Sequence, residues 1–168
     1  LKVSKEFLTE CSLFSAYDLY HNHIPFDEDY ICTDITIIDS GGYETSDIYD
    51  LTATTKYSYP TKEWSNDKYK EIIEKWPKHK PGVLVSYDHG KIRQPLELQI
   101  SNAKKLFSVH PDFLSNFLIK PETDKQKYIQ ISNIIAHISQ LSGFSIIGMT
   151  EKELDNSILN RMINIAKI

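Results

Sequence analysis

The chain has few of the cysteines that stabilise small disulfide-bonded domains, and it lacks the long apolar runs that span membranes. It contains only two cysteines and six glycines in 168 residues. So few cysteines exclude the disulfide framework on which small secreted domains depend. No apolar run approaches the roughly 18 residues that a transmembrane helix needs. The first ten residues, LKVSKEFLTE, lack the apolar core of a signal peptide. We therefore expect residues 1–168 to form a single cytoplasmic domain.

Motifs that bind cofactors or perform catalysis are also missing. The pair Gly41-Gly42 has the character of a turn, and neither of the glycine-rich phosphate-binding patterns occurs around it. No serine or cysteine lies in a nucleophile elbow. The sequence therefore predicts no catalytic residues and no cofactor, and it favours a non-enzymatic protein.

Positive charge is almost absent from the first 50 residues. This segment holds eleven acids against Lys2 and Lys5, a formal charge of −9, whereas residues 51–168 carry +5. A field of one sign determines partners and association rates rather than the fold. The acidic segment is therefore the best indication of function in the sequence.

The pattern of apolar residues predicts an α+β fold with an antiparallel sheet in the first hundred or so residues. Residues 30–39 alternate as a strand, 40–42 form a turn, and 43–59 are rich in the Thr, Tyr and Ile that favour strands. Residues 83–88 and 95–100 are predicted to form a hairpin. Because these connections are too short for helical crossovers, we expect a meander of hairpins.

The helices are predicted to be concentrated in the C-terminal third, where they pack on the sheet. Apolar spacing indicates shorter helices over 5–21 and 66–76 and a helical turn or two over 112–119. Capping boxes begin longer helices near Thr123 and Thr150. The predicted core contains Phe7, Phe14, Ile35, Ile37, Ile73, Trp76, Ile134 and Leu159.

A histidine pair has the chemistry of metal ligands but not the spacing of a complete site. His21 and His23 form an H-x-H pair near Asp27 and Asp29. The pair lies where a helix is predicted to end, and no third and fourth ligand of zinc type follow it. A histidine in the last turn of a helix also complements the helix dipole. We therefore expect no bound metal here.

An alternative, enzymatic function depends on the predicted hairpin over 83–100. Asp88 would end one strand and Glu97-x-Gln99 would begin the next. This arrangement resembles that of metal-dependent nucleases of the restriction-endonuclease type. The resemblance implies that the two acids hold Mg²⁺ in a small nuclease or phosphodiesterase, but Gln99 stands where the family has a lysine. A hairpin with polar side chains in solvent explains the same residues without catalysis.

The acidic segment predicts a surface for a basic protein partner. Pairing of 30–39 with 43–52 would bring several of its carboxylates to one end of the sheet, with tyrosines among them. Carboxylates with tyrosines, and with few lysines, suit a basic protein. The predicted partner-binding residues are Asp27, Glu28, Asp29, Asp34, Asp39, Tyr43, Glu44, Asp47, Tyr49 and Asp50.

We therefore predict a protein-binding, inhibitory module such as a bacterial immunity protein or antitoxin. A nuclease toxin must be basic near its substrate groove, so a surface of carboxylates is a natural inhibitor. The same acids could instead keep the sheet soluble and protect its edges. The isoelectric point of about 5.9 and the scattered lysines after residue 51 argue against a nucleic-acid binder and leave the basic protein as the expected partner.

Overall fold

The computed structural model describes residues 10–26, 33–45, 62–80, 82–89 and 94–118, together with positions 159, 162 and 163. Its strands are β1 (Cys11–Ser15), β2 (Ile35–Asp39), β3 (Gly82–Val85) and β4 (Leu114–Asn116). Its helices are α1 (Ala16–Tyr20), α2 (Asn66–Lys75) and α3 (Leu96–Val109), and Tyr43–Thr45 is a single 3-10 turn. The predicted mixture of helices and strands is confirmed. The prediction of a single domain over 1–168 stays a prediction.

The described strands form one sheet in the order β1-β2-β3-β4, and each neighbouring pair is parallel. The predicted antiparallel meander is therefore wrong. Parallel neighbours need a crossover connection, and the connections here contain α1, α2 and α3 in turn. The prediction failed because Leu96, Leu98 and Ile100 alternate as in a returning strand, whereas they lie in the first turns of α3.

Other segments differ from their predicted structure for related reasons. Residues 11–15 were expected to be helical but form β1, and residues 114–116, also expected to be helical, form β4. The segment Tyr43–Thr45 was expected to begin a strand that pairs with β2, but it turns instead. The neighbours of β2 are β1 and β3. Parallel pairing joins segments far apart in sequence, so local alternation does not reveal it.

Helix α2 agrees with the helix predicted over 66–76. The Ser65 hydroxyl accepts a hydrogen bond from the backbone N–H of Lys68 at 3.4 Å, which satisfies one of the free amides of the first turn. Three apolar side chains at helical spacing are buried on one side of α2: Tyr69, Ile72 and Ile73. The longer helices predicted after 123 and 150 fall outside the described residues, apart from helical positions 159, 162 and 163.

One face of the sheet carries the hydrophobic core. The strand register places Phe14 beside Ile38 and Ile38 beside Leu84, and all three side chains are buried. Tyr69 of α2 connects two strands, because its hydroxyl lies 3.3 Å from the carbonyl oxygen of Ile38 and 2.5 Å from that of Val85. The helices therefore cover the face of the sheet to which Ile38 belongs.

On the opposite face of the sheet, β3 is buried whereas β1 and the start of β2 are exposed, and some predicted core residues lie outside the core. Phe14, Ile73 and Trp76 are buried as predicted. Ile35 is 44% exposed and Leu159 is 65% exposed, so these two predictions are wrong. Ile35 and Ile38 point to opposite faces of β2, because their separation is an odd number of residues. Phe7 and Ile134 fall outside the described residues. No helix in the described ranges has the length and apolar character needed to cross a membrane.

Candidate functional site

The four described strands end along one edge of the sheet, which we call the carboxyl edge. The final residues of β1 and β2, Ser15 and Asp39, are register neighbours, and so are Val85 and Asn116 at the ends of β3 and β4. Parallel sheets with helical crossovers commonly bind ligands outside this edge, because loops from several strands meet there. The carboxyl edge is therefore the place where a site is expected.

The loop after β2 is held close to helix α1. The backbone N–H of Gly41 donates to Asp39 Oδ2 at 3.0 Å. Gly41 has a φ of +78°, and a Cβ atom at this position would lie 2.5 Å from the Cβ atom of Tyr17. Both the backbone angle and the close approach require glycine. The tight turn fixes the position of Asp39 and of the residues that follow it.

Glu44 lies in the 3-10 turn, and its carboxyl group returns to the end of β1. Among the residues that the structure describes, Glu44 Oε2 has no hydrogen-bond partner, and it is shielded from solvent. Burial raises the pKa of Glu44 to about 7; the nearby Ser15 hydroxyl opposes this shift, whereas the negative charges of Asp39 and Asp18 increase it. Several acids therefore interact at the carboxyl edge.

Ser15 brings a second unsatisfied group to the same place. Its side chain is only 7% exposed. Ser15 precedes α1, but within the described part of the chain its hydroxyl neither caps this helix nor makes another hydrogen bond of good geometry. The Ser15 hydroxyl nevertheless interacts with the Glu44 carboxyl group as a weak hydrogen-bond donor, and this interaction lowers the pKa of Glu44. We call Ser15, Asp18, Asp39 and Glu44 the carboxyl-edge cluster.

Asp18 connects the carboxyl-edge cluster to a group of aromatic rings. Its Oδ1 atom accepts a hydrogen bond from His23 Nδ1 at 2.9 Å. The ring of Tyr17 lies 4.5 Å from that of His21 and 5.5 Å from that of Trp64, in both cases edge to face. Burial lowers the pKa of His21, and nearby positive charge lowers it further. The histidine pair therefore packs among aromatic rings, where His21 favours its neutral form.

The loop after β3 meets the loop after β2. The backbone N–H of Asp88 donates to the Ser40 hydroxyl at 3.2 Å. A Cβ atom on Gly42 would lie 2.6 Å from Asp88 Oδ2, so the two loops are in close contact. Glu97, by contrast, is exposed in the first turn of α3. The hairpin on which the nuclease prediction depended is therefore not formed.

Two sets of side chains were possible metal ligands from the sequence: the His21–His23 pair with its neighbouring acids, and Asp88 with Glu97. Within the described ranges, no group of three or more His, Cys, Asp or Glu side chains is arranged to hold a metal ion. His21 and His23 have ring centroids 5.9 Å apart. Asp27 and Asp29, which were predicted to lie beside this pair, fall outside the described residues.

Four of the ten predicted partner-binding residues lie in the described ranges, and they are divided between two places. Asp34 is exposed just before β2, whereas Asp39 ends this strand at the carboxyl edge. These two positions are roughly 16 Å apart at the usual rise of a strand. Tyr43 is exposed beside Glu44. The other predicted residues fall outside the described ranges: Asp27, Glu28, Asp29, Asp47, Tyr49 and Asp50.

Sequence reasoning missed Ser15 and Asp18 as members of the site. The helical spacing of Phe14 and Tyr17 hid the end of β1 between them. One signal was present: Ser40-Gly41-Gly42 marks a turn at the end of β2, but such a turn is compatible with a hairpin as well as with a crossover connection.

Comparison with known proteins does not assign the chain to a family. No protein-family model matches the chain, and neither a curated protein nor a solved structure matches it. A function for this chain therefore has to be derived from its own residues.

Proposed function

We propose that the protein is a non-enzymatic binding module that neutralises a basic protein, most concretely a bacterial nuclease toxin, as an immunity protein or antitoxin does. The charge of two described segments, 10–26 and 33–45, supports this proposal. Neither segment contains a lysine or an arginine. Their acids are Glu10, Asp18, Asp34, Asp39 and Glu44.

Mutual repulsion at the carboxyl edge favours a partner that brings positive charge. The charges of Asp39 and Asp18 both act against ionisation of Glu44. Lysines of helix α2 form ion pairs elsewhere, as Lys70 does with Asp67 at 3.1 Å. Acids that repel one another cost stability, and a basic partner would relieve that cost on binding. The concentration of negative charge therefore suits association with a basic protein.

The proposal includes a cellular setting. An inhibitor of a nuclease has to act where the nucleic acid of its own cell lies, so we propose that the protein works in the cytoplasm. Binding through carboxylates needs no cofactor, membrane or nucleic acid. The other use of such acids, to keep the surface soluble and guard sheet edges, predicts no specific partner. Experiment separates these two readings.

The test uses the product of the neighbouring gene, because immunity proteins are normally encoded beside their toxins. We expect the purified pair to associate, with a rate that falls as the salt concentration rises. Asp39→Asn and Glu44→Gln should each slow association. Glu71→Gln and Glu74→Gln, at exposed positions of helix α2, remove the same charge elsewhere and should have a much smaller effect. An association rate that changes neither with salt nor with Asp39→Asn and Glu44→Gln would count against the proposal.

A second candidate, an enzyme that uses general acid–base catalysis, is favoured by the state of Glu44. A carboxyl group whose pKa lies near 7 can both donate and accept a proton at neutral pH. It also lies at the edge where parallel-sheet enzymes bind substrates. A panel of chromogenic glycosides, esters and phosphodiesters tests this candidate. Turnover that Glu44→Gln abolishes and Glu74→Gln preserves would establish it, and the lack of turnover on the whole panel would favour the binding module.

A further inference from the structure

In the described part of the chain, the crossover helices all pack on one face of the sheet. Buried residues of α1, α2 and α3 belong to a single hydrophobic cluster, together with Phe14, Ile38 and Leu84 of the strands. These three strand residues are register neighbours and therefore share a face. Parallel sheets are normally covered on both faces, because both faces carry apolar side chains. The exposed part of the opposite face therefore needs a cover that α1, α2 and α3 do not supply.

This exposed part is an apolar patch at the edge of the described sheet. Strand β1 is the edge strand, and its Cys11 and Leu13 are register partners of Ile35 and Ile37 in β2. Register partners and residues two apart share a face, so the four side chains form one surface, which we call the β1–β2 patch. Leu13 is 61% exposed, and Ile35 is also exposed. Covering these side chains would remove apolar surface from water and is therefore favourable.

A second apolar surface lies in the same chain. Leu159, Met162 and Ile163 occupy helical positions and are exposed. Their spacing of three and four residues places them on one side of a helix, and we call them the C-terminal stripe. Helices in proteins gain most of their stability by packing such a stripe against another apolar surface. Because the patch and the stripe are both exposed in one chain, a second copy of the chain offers each of them the cover that it lacks.

Charge decides which surfaces meet. Glu10 and Asp34 immediately precede the two strands of the β1–β2 patch, and both are exposed. Residues 159–168, by contrast, contain Arg161 and Lys167 and no acid. Opposite charges around an apolar contact favour the correct partner and orientation, whereas like charges oppose association. A contact between patch and stripe is therefore favoured over a contact between two patches or between two stripes.

We propose that the β1–β2 patch of one copy packs against the C-terminal stripe of a second copy in a twofold-symmetric dimer. Under this symmetry the contact occurs twice, since each copy gives its stripe and receives that of its partner. The contact uses none of the residues of the carboxyl-edge cluster, so it is independent of the proposed function. Both surfaces are small, and we expect a dimer with a Kd on the order of 10–100 μM.

Sedimentation velocity of the full chain, from about 1 to about 500 μM, measures this association. Leu13→Thr keeps a residue that favours strands, and Met162→Gln keeps one that favours helices. Each should raise the Kd of the dimer at least about tenfold, because each removes an apolar side chain from both contacts. Val109→Thr and Leu98→Gln change exposed apolar side chains elsewhere and should leave the Kd unchanged. A chain that stays monomeric throughout, or a dimer that the first two substitutions do not weaken, would overturn the proposal.

An equimolar mixture of Leu13→Thr and Met162→Gln tests whether the patch meets the stripe. A dimer of either variant alone has no intact contact. The mixed dimer keeps one, between the patch of the Met162→Gln copy and the stripe of the Leu13→Thr copy. The mixture should therefore dimerise more strongly than either variant alone. A mixture that is no better than its components would show that the two surfaces do not meet.

Oxidative cross-linking distinguishes a second copy from the same chain as the source of the stripe. Met162→Cys in a Cys32→Ser background leaves the exposed Cys11 thiol and the introduced thiol. At concentrations above the Kd we expect disulfide-linked dimers on a non-reducing gel, and Cys32→Ser alone should give none. A disulfide within one chain would show that the stripe covers the patch of its own copy, and the dimer would then be wrong.

Discussion

Glu44 should make the protein less stable as the pH rises. Its pKa is raised from 4.5 to about 7 in the folded state, so the folded chain holds this proton more tightly than the unfolded chain does. The resulting stabilisation is complete below pH 4.5 and is lost as the pH passes through 7. Glu44→Gln should therefore flatten the pH dependence and, at pH 8, raise the free energy of unfolding by at most about 3 kcal/mol.

Urea unfolding of the wild type and Glu44→Gln at several values from pH 5 to pH 8 measures this effect. Glu74→Gln, at an exposed position of α2, serves as the control for loss of one charge. If the two stability curves of wild type and Glu44→Gln run parallel, the carboxyl group titrates as it would in the unfolded chain and the description of the cluster is wrong.

The hydroxyl group of Tyr69 should contribute to stability as a connection between strands. The side chain is fully buried, and its hydroxyl donates to the carbonyl oxygens of Ile38 and Val85 near the ends of β2 and β3. Tyr69→Phe keeps the ring and leaves these carbonyl groups without their shared donor. We expect a loss of about 1–3 kcal/mol in the free energy of unfolding, measured in urea. A loss below about 0.5 kcal/mol would show that neither carbonyl depends on the hydroxyl.

In the loop after β2, the backbone conformation limits which residue can occupy position 41. Gly41→Ala combines a strained positive φ with a clash against Tyr17, whose backbone nitrogen would lie 2.9 Å from the new Cβ. We expect a cost of at least about 2 kcal/mol. Gly82→Ala is the comparison, because its Cβ would lie 3.1 Å from ring atoms of Phe113, which can move. Thermal melts of the two variants measure the difference, and equal losses would contradict this account of the turn.

Elements whose structure depends on their own residues could be predicted from the sequence, and elements that depend on distant partners could not. Helix α2 follows from the spacing of Tyr69, Ile72 and Ile73 and from its Ser65 cap. Helix α3 begins with residues that alternate as a strand does, and only the later buried positions, Leu106 and Phe107, show its helical period. Tertiary packing decides whether such a segment becomes a helix or a strand, and a short stretch of sequence does not contain that information.

The same limit explains how much of the site was predicted. Asp39 and Glu44 were in the predicted set because the acidic bias of their segment is visible in the sequence. Ser15 and Asp18 were not, since they reach Glu44 only through the parallel pairing of β1 with β2, whose register partners are 24 residues apart, as with Cys11 and Ile35. The tyrosines and acids after residue 45 remain predictions. The residue types of the site could be predicted from composition, whereas their arrangement depends on the strand order.

At the scale of the whole molecule, two opposite fields should govern association. The first 50 residues carry −9 and the remainder +5, so a basic partner is attracted to one part of the chain and repelled by another. Charge reversal at Asp27, Glu28 and Asp29, or at Asp47 and Asp50, should therefore mainly slow association. Tyr43→Ala or Tyr49→Ala should mainly speed dissociation, at a cost of about 2 kcal/mol if that ring is an anchor.

Stopped-flow and surface-binding kinetics against the neighbouring gene product, from low to physiological salt, separate these two effects. The charge-reversal variants should lose much of the salt dependence of the association rate, because screening acts on the charges that they remove. We predict from the sequence that these charges lie in solvent, where a charge contributes little to stability, so the melting temperatures of the variants should barely change. If instead these variants associate as the wild type does, the acids serve only as a solvated surface. The partner would then have to bind through the C-terminal third, where the helical positions Leu159, Met162 and Ile163 are exposed.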